Sequence, residues 1–349
     1  MATKMNLILK LTLLAQWFFI LFPITIYAQK EPPLILDKQG AFKLIDWGVY
    51  THYDCGYTKA ETTANYQKII GITDAVRKNP VMSDMKGFDC QTYVFAHPCD
   101  PKAGYGIACD IRFDFGAWVL LKGQPQVYKI EPPNWKLQVN HLGSFANKGF
   151  AFNSLKPSDK PKDGFNYEKW NSITEKIREC FYIPGPKEKL GDGIDRYGSE
   201  LIVVYNAARP PYSVPVRFRE LATWIIDYWR MYPQQAASDM MTKLVEAEYA
   251  KFSEAEREGY AYYGSDERTP TLQITSVPNQ LPVMRKNPDY WNKVLPRSAI
   301  QILTFERLAD TKRYTREKED ALKHDSSGYH LLRFMESLDI NPFTGLIEK

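Results

Sequence analysis

Cys109-Asp110-Ile111-Arg112-Phe113-Asp114-Phe115 is the stretch on which the fold turns. Apolar and polar residues alternate without a break. Cys109, Ile111, Phe113 and Phe115 fall on one side, and Asp110, Arg112 and Asp114 on the other. A period of two marks a β-strand, because successive side chains leave opposite faces of the pleat. One covered face and one wet face imply an antiparallel sheet, since parallel sheets are buried on both faces. Residues 135–141 alternate in the same way. Between the two runs, 118–121 and 126–130 flank Lys122-Gly123-Gln124-Pro125, which has the chemistry of a hairpin turn. Residues 88–142 therefore read as an antiparallel meander. Upstream, Tyr66, Ile69, Ile70 and Val76 share one face of a helix expected over 61–78, which Pro80 stops. That helix is expected to pack on the apolar side of the meander.

Working outward, Pro32-Pro33 discourages helix, and Leu34-Ile35-Leu36 reads as a short edge strand. Residues 154–168 are rich in Ser, Pro, Asp and Lys and are the natural boundary loop. Beyond it, Trp170, Ile173, Ile177, Cys180 and Phe181 outline one helix, and residues 202–205 a buried strand. Phe218, Leu221, Ala222, Ile225, Trp229 and Tyr232 keep helical spacing until Pro233. Met241, Leu244, Val245, Tyr249 and Phe252 repeat that pattern, and Ser253-Glu254-Ala255-Glu256 has capping-box form. Residues 299–305 read as a strand, followed by a last amphipathic helix through Leu331, Phe334, Met335 and Leu338. The expected class is α+β. An N-terminal antiparallel β-meander with a helix on one face (29–153) precedes a helix-rich C-terminal half with a few strands (169–349), the loop 154–168 lying between them.

The beginning of the chain sets the expected address. Residues 1–28 combine Lys4 and Lys10 with an apolar run over 11–28, and Ala28-Gln29 offers a cleavage point. This is the pattern of a secretory signal peptide, so the mature chain is expected to start at Gln29 in a periplasmic, cell-surface or secreted location. Retention of the segment as an anchor is the rival reading; Gln16 and Pro23 inside the run oppose it. No later stretch is apolar enough for a membrane span. The whole chain carries 45 Lys and Arg against 41 Asp and Glu. Loss of the two leader lysines leaves it close to neutral, without the field expected of a nucleic-acid partner.

Five cysteines occur, all in the first 180 residues. Export favours disulfides, with Cys90–Cys99 the first candidate pair and Cys55–Cys109 the second. Cys90, His97, Cys99 and Cys109 also have donor atoms suited to zinc, but their spacing lacks the close cysteine pair of structural zinc sites. No metal or cofactor is expected. His52 beside Cys55, and His97 beside Cys99, are neighbours too near in sequence to make a convincing catalytic dyad.

The common catalytic signatures are absent: no G-x-S-x-G elbow, no H-E-x-x-H helix, no phosphate loop and no G-x-G-x-x-G turn. Asp110, Arg112 and Asp114 form the most suggestive polar row, either a floor for a polar ligand or a plain solvated strand face. His141 falls on the apolar side of its strand and reads as a core histidine. The run Glu246, Glu248, Glu254, Glu256 and Glu258 reads as an exposed charged surface. Trp224 and Tyr228 read as a widening of the buried helix face. In leader and aromatic texture the chain resembles envelope proteins of Gram-negative bacteria, which implies a location rather than an activity. The expected function is that of an exported, non-enzymatic binding or assembly module whose partner is an envelope protein or glycan. The alternative is a periplasmic or secreted hydrolase acting on a glycan, peptide or ester, with carboxylates such as Asp110 and Asp114 converging in a cleft.

Overall fold

The computed structural model describes residues 32–45, 56–96, 105–128, 132–142, 152, 164–182, 187–198, 201–264, 266–278, 281–306 and 326–349. The leader, its cleavage point and most of the 154–168 loop lie outside these residues. The strands run β1 (Phe42–Leu44), β2 (Phe88–Ala96), β3 (Cys109–Leu121), β4 (Gln124–Val127), β5 (Asn134–Val139), β6 (Phe181–Tyr182), β7 (Lys187–Gly191), β8 (Ile194–Tyr197), β9 (Leu201–Tyr205), β10 (Ser213–Pro215), β11 (Tyr262–Tyr263), β12 (Ile274–Thr275), β13 (Leu281–Lys286) and β14 (Ile302–Glu306). The helices are α1 (Lys59–Arg77), α2 (Pro80–Ser83), α3 (Tyr167–Arg178), α4 (Phe218–Arg230), α5 (Gln235–Ala250), α6 (Glu254–Arg257), α7 (Ser326–Ser337) and α8 (Asn341–Thr344). Helices and strands are thus mixed, as expected for an α+β protein.

A large sheet has the order β1-β2-β3-β5-β14-β9-β8-β7, with β4 paired to β3. β2, β4 and β5 all pair antiparallel with β3; unlike a simple meander, β4 and β5 both pair with β3, along successive stretches of it. The sheet does not end at the 154–168 loop. β14 lies between β5 and β9, antiparallel to both, so strands from beyond the loop continue the same sheet. β1 is parallel to β2. A parallel neighbour needs a crossover, and α1 supplies it. The expected edge strand at Leu34-Ile35-Leu36 reduces to a bridge between Leu34 and Val119. Pro32 and Pro33 have no N–H to donate, and the lead-in instead donates from Ile35 N to the Trp118 carbonyl at 2.8 Å.

The alternation in β3 acts as predicted. Its apolar face carries Cys109, Ile111, Phe113 and Phe115, all fully buried in the main core with Phe88, Trp135, Leu137 and Phe305. α1 covers this face with Ile69, Ile72 and Val76, and α7 adds Leu331 and Phe334. α1 starts two residues earlier than the apolar spacing implied, because Thr58 accepts from the Glu61 backbone N–H while Glu61 accepts from Thr58 N–H. A second core gathers Trp170, Ile173 and Ile177 of α3, Leu221 and Ile225 of α4 and Val245 of α5 against Ile274 and Val283 of a small sheet. That sheet runs β10-β13-β11-β12, with β6 also on β13. A third core lies on the other face of the large sheet, where Val203 of β9 and Ile302 of β14 meet Tyr212, Tyr290 and Trp291. Among the described residues, no helix is long and apolar enough to cross a membrane.

Candidate binding site

The polar side of β3 lies on the second face of the sheet, at the end away from the third core. Register places Gln91 opposite Asp114 and Tyr93 opposite Arg112, so β2 and β3 contribute adjacent polar rows. The Arg112 Nε is 2.8 Å from Asp114 Oδ1, and its Nη2 donates to Asp114 Oδ2 at 3.0 Å. The same guanidinium lies over the rings of Tyr93 and Phe95, at 5.1 and 5.3 Å. Such two-point contact with stacking fixes an arginine far better than an exposed lysine pair. Burial pushes the Asp114 carboxyl above its ordinary pKa, and Arg112 pulls it back in part. Tyr93 donates to Gln91 Oε1 at 2.8 Å. Asp110, further along the strand, accepts from Gln138 Nε2 at 2.7 Å.

One wall of the site comes from the end of β4. β4 and β5 follow β3 in turn: Tyr128 N donates to the Ala117 carbonyl and Phe115 N to the Pro133 carbonyl. β4 pairs with β3 as far as Val127, which with Tyr128 comes close to Gly116. Gly116 permits that approach, because a Cβ there would lie 2.5 Å from Val127 Cγ1. Trp118 stands at the far end of the row. Its Nε1 donates to Asp89 Oδ1 at 3.0 Å, and Asp89 also accepts from Ala41 N at 2.9 Å and from Lys43 Nζ at 2.6 Å. A fully buried carboxylate thus holds β1, β2 and the indole together. The result is a groove with two lobes. One, of about 530 Å³, lies by Lys43, Gln91, Trp118 and Tyr128. The other, of about 310 Å³, lies by Tyr93, Arg112, Asp114 and Pro132 and shares Gln91, Val127 and Tyr128 with the first.

The cysteines take a different place. Cys90 and Cys180 are buried thiols, and burial raises both pKa values, that of Cys180 to about 12. Neither is suited to act as a thiolate at neutral pH. Cys109 is buried in the same core as Cys90, but it stands opposite Ala96, six strand positions from Phe115, the residue opposite Cys90. At about 3.4 Å per position these two sulfurs cannot meet. Cys55 and Cys99, the expected partners of Cys109 and Cys90, lie outside the described residues, as do His52 and His97. Among the described residues, no three metal-ligating side chains gather. His141 is buried, Tyr228 is buried in the second core, and Trp224 packs against that core.

Besides Asp89, two more buried carboxylates escaped the sequence reading. Glu248, placed in an exposed acidic run, is 5% exposed and accepts from Leu272 N at 2.7 Å and Thr271 N at 3.1 Å. It caps the segment that leads into β12. Its neighbours Glu246, Glu254 and Glu256 do stay on the surface, paired with Arg230, Arg219 and Arg268. Asp195 is the other. It accepts from Tyr205 Oη at 3.1 Å and Tyr212 Oη at 2.9 Å, and Lys187 Nζ lies 2.6 Å away. Tyr212 spends its one proton on Asp195, so Tyr197 donates to the Tyr212 oxygen. Burial raises all three phenols, Tyr205 to about 12 and the others further. They stay protonated at neutral pH and serve as donors. The alternation Ile194-Asp195-Arg196-Tyr197 was the available signal, since it puts Asp195 and Tyr197 on one face.

Asp110 and Asp114 are four positions apart on one strand, roughly 13 Å between their Cα atoms. The carboxylates of glycoside hydrolases lie about 5 to 9.5 Å apart. Each is also committed, Asp110 to Gln138 and Asp114 to Arg112. No family model, curated protein or solved structure matches the chain, so geometry alone bears on its function.

Proposed function

We propose that the chain is an exported, non-enzymatic binding or assembly module, and that its envelope partner is held in the groove on the polar face of β2, β3 and β4. The observation that carries the reading is the groove itself. Half-exposed Tyr93 and exposed Tyr128 share a lobe with an arginine already oriented by Asp114, and half-exposed Trp118 lines the adjoining lobe, over a sheet floor. Binding sites combine apolar walls with a few fixed polar groups in this way. Export rests on the leader, residues 1–28.

A hydrolase is the second reading, favoured by Asp114, whose raised pKa suits a proton donor. Against it, Asp110 lies too far along the strand to act with Asp114, Asp89 is already held by Ala41 N, Lys43 and the Trp118 indole, and the ion pair with Arg112 favours the ionised form of Asp114. Binding is therefore the better reading.

The test combines two measurements. Intact mass of protein recovered from cell envelopes is expected to begin at Gln29; a mass that includes the leader removes the export part. Amide hydrogen exchange of the mature chain with glycan and peptide probes is expected to show protection in β2, β3 and β4 without turnover. Protection confined to other elements, or product formation, overturns the binding part.

A further inference from the structure

Charge sets the class of ligand, given that the groove is the binding site as read above. Among the described residues, Lys43, Arg112 and Asp114 are the ionic side chains that line its two lobes. Each already has its counter-charge. Lys43 Nζ is 2.6 Å from Asp89 Oδ2, with the Asp89 side chain fully buried beneath it. Arg112 meets both oxygens of Asp114. An anion entering the groove would have to compete with two carboxylates that are fixed and partly or wholly desolvated, while a cation would face the two basic groups. Neither finds an uncompensated charge in the lining. Two further cations stand beside the lining: Lys38, whose Nζ lies 4.5 Å from the centre of the Trp118 ring, and half-exposed Lys136 of β5, opposite Arg112 in the register.

What remains for recognition is neutral. Gln91 and Gln126 offer amides, Tyr93 and Tyr128 offer hydroxyls and ring faces, and Pro125 and Pro132 offer apolar edges. A ligand that suits them carries apolar faces rimmed by groups that both donate and accept hydrogen bonds, and no net charge. The groove is also long. Its β3 side on the polar face runs from Arg112 to Trp118, six positions or roughly 20 Å. Gly116 stands within that stretch, where Val127 and Tyr128 belong to both lobes. That length suits several linked units rather than a single ring.

We infer that the groove takes a neutral, hydroxyl-rich oligomer, an uncharged oligosaccharide laid along β3 with units on either side of Gly116. The rings of Tyr93 and Tyr128 meet its apolar faces, and Gln91 and the outer edge of Arg112 meet its hydroxyls.

The test uses the mature chain and tetrasaccharides of equal length: chitotetraose, maltotetraose and mannotetraose as neutral probes, and tetragalacturonate as the anionic one. Titration calorimetry reads affinity, and amide hydrogen exchange reads position. At least one neutral tetramer is expected to bind with protection in β2, β3 and β4, with an affinity that is insensitive to salt. Tyr128→Ala, at an exposed ring, is expected to weaken it about tenfold with an unchanged unfolding midpoint, and Gln91→Ala, at a half-buried amide, to weaken it about tenfold. Tetragalacturonate is expected to bind at least about tenfold more weakly. Tighter binding of the anionic tetramer at low salt, protected in the same strands, overturns the neutral class and leaves the groove as the site. A neutral tetramer that binds with protection elsewhere overturns both. If no tetramer binds at millimolar concentration while a peptide probe protects the groove, the saccharide class falls and the binding reading stands.

Discussion

Replacing Gly116 by alanine tests the contact that shapes the groove. The position is not among the residues with left-handed backbone, and alanine is better than glycine in a strand by about 0.5–1 kcal/mol. Any loss of stability is therefore steric. The new Cβ would sit 2.5 Å from Val127 Cγ1 and 3.2 Å from the Tyr128 carbonyl oxygen. Carbon atoms prefer about 3.5–4.0 Å, so Val127 must move by about 1 Å and carry the end of β4 with it. Overpacking of this size costs about 1–3 kcal/mol, which leaves a net loss of about 1–2 kcal/mol after the gain in strand propensity. Val127→Ala removes the nearest obstacle. Val127 is half-buried, and its lost methyl groups cost about 1 kcal/mol alone. In the double variant the obstacle and the intruder disappear together, so the two losses should fall short of their sum by about 1 kcal/mol. Urea unfolding of the four proteins supplies the cycle. Amide exchange supplies the location: Gly116→Ala should speed exchange in β4 and leave α1 and β14 unchanged. Losses that add to within about 0.5 kcal/mol, with β4 exchange untouched, would refute the close approach and with it the groove's wall.

Three further outcomes are expected. His330 is 8% exposed, stacks on Phe88 at 4.2 Å and has no hydrogen-bond partner on either nitrogen; burial first and Arg333 second lower its pKa to about 4. The unfolded chain binds a proton near pH 6.5 that the fold refuses, so stability present above pH 6.5 falls by up to about 3 kcal/mol toward pH 4. Urea midpoints across this window should show that slope in the natural chain and lose it in His330→Phe; an equal slope in both would discount the imidazole. Asp195→Asn takes the ionised acceptor from Tyr205 and Tyr212 and should cost about 3 kcal/mol by urea unfolding, whereas Lys187→Met, at a half-exposed amine, should cost under about 1 kcal/mol. Gly71 lies within α1 with open space where its Cβ would be, so Gly71→Ala should stabilise by about 0.5–1 kcal/mol; a lowered melting temperature would show that the position is not a plain helix surface.

The elements that the sequence made legible are those whose signal is local. The alternation in β3 named its buried and polar faces, and Ile69 and Val76 named the covered side of α1. The capping box at Ser253 was readable, although the helix it starts is only four residues long. The polar row Asp110, Arg112 and Asp114 was also visible as the candidate floor. Its companions were not. Gln91 and Tyr93 become part of the site through register with β3, and Tyr128 through its bond to Ala117 beyond the end of β4, which no spacing announces. β1, with three residues and no alternation to read, was missed for the same reason.

What the sequence by itself determined is therefore the pleat, the helix faces, the leader pattern and the absence of common catalytic motifs, because each is written within one turn, one strand or one short segment. Tertiary structure alone decided that β14 sits between β5 and β9, that Glu248 is buried while Glu246 is not, and that Asp195 collects two tyrosines. It also decided that Arg112 pairs with Asp114. These depend on contacts between residues far apart in the chain. A local pattern says which side of an element avoids water, but not which distant element comes to cover it.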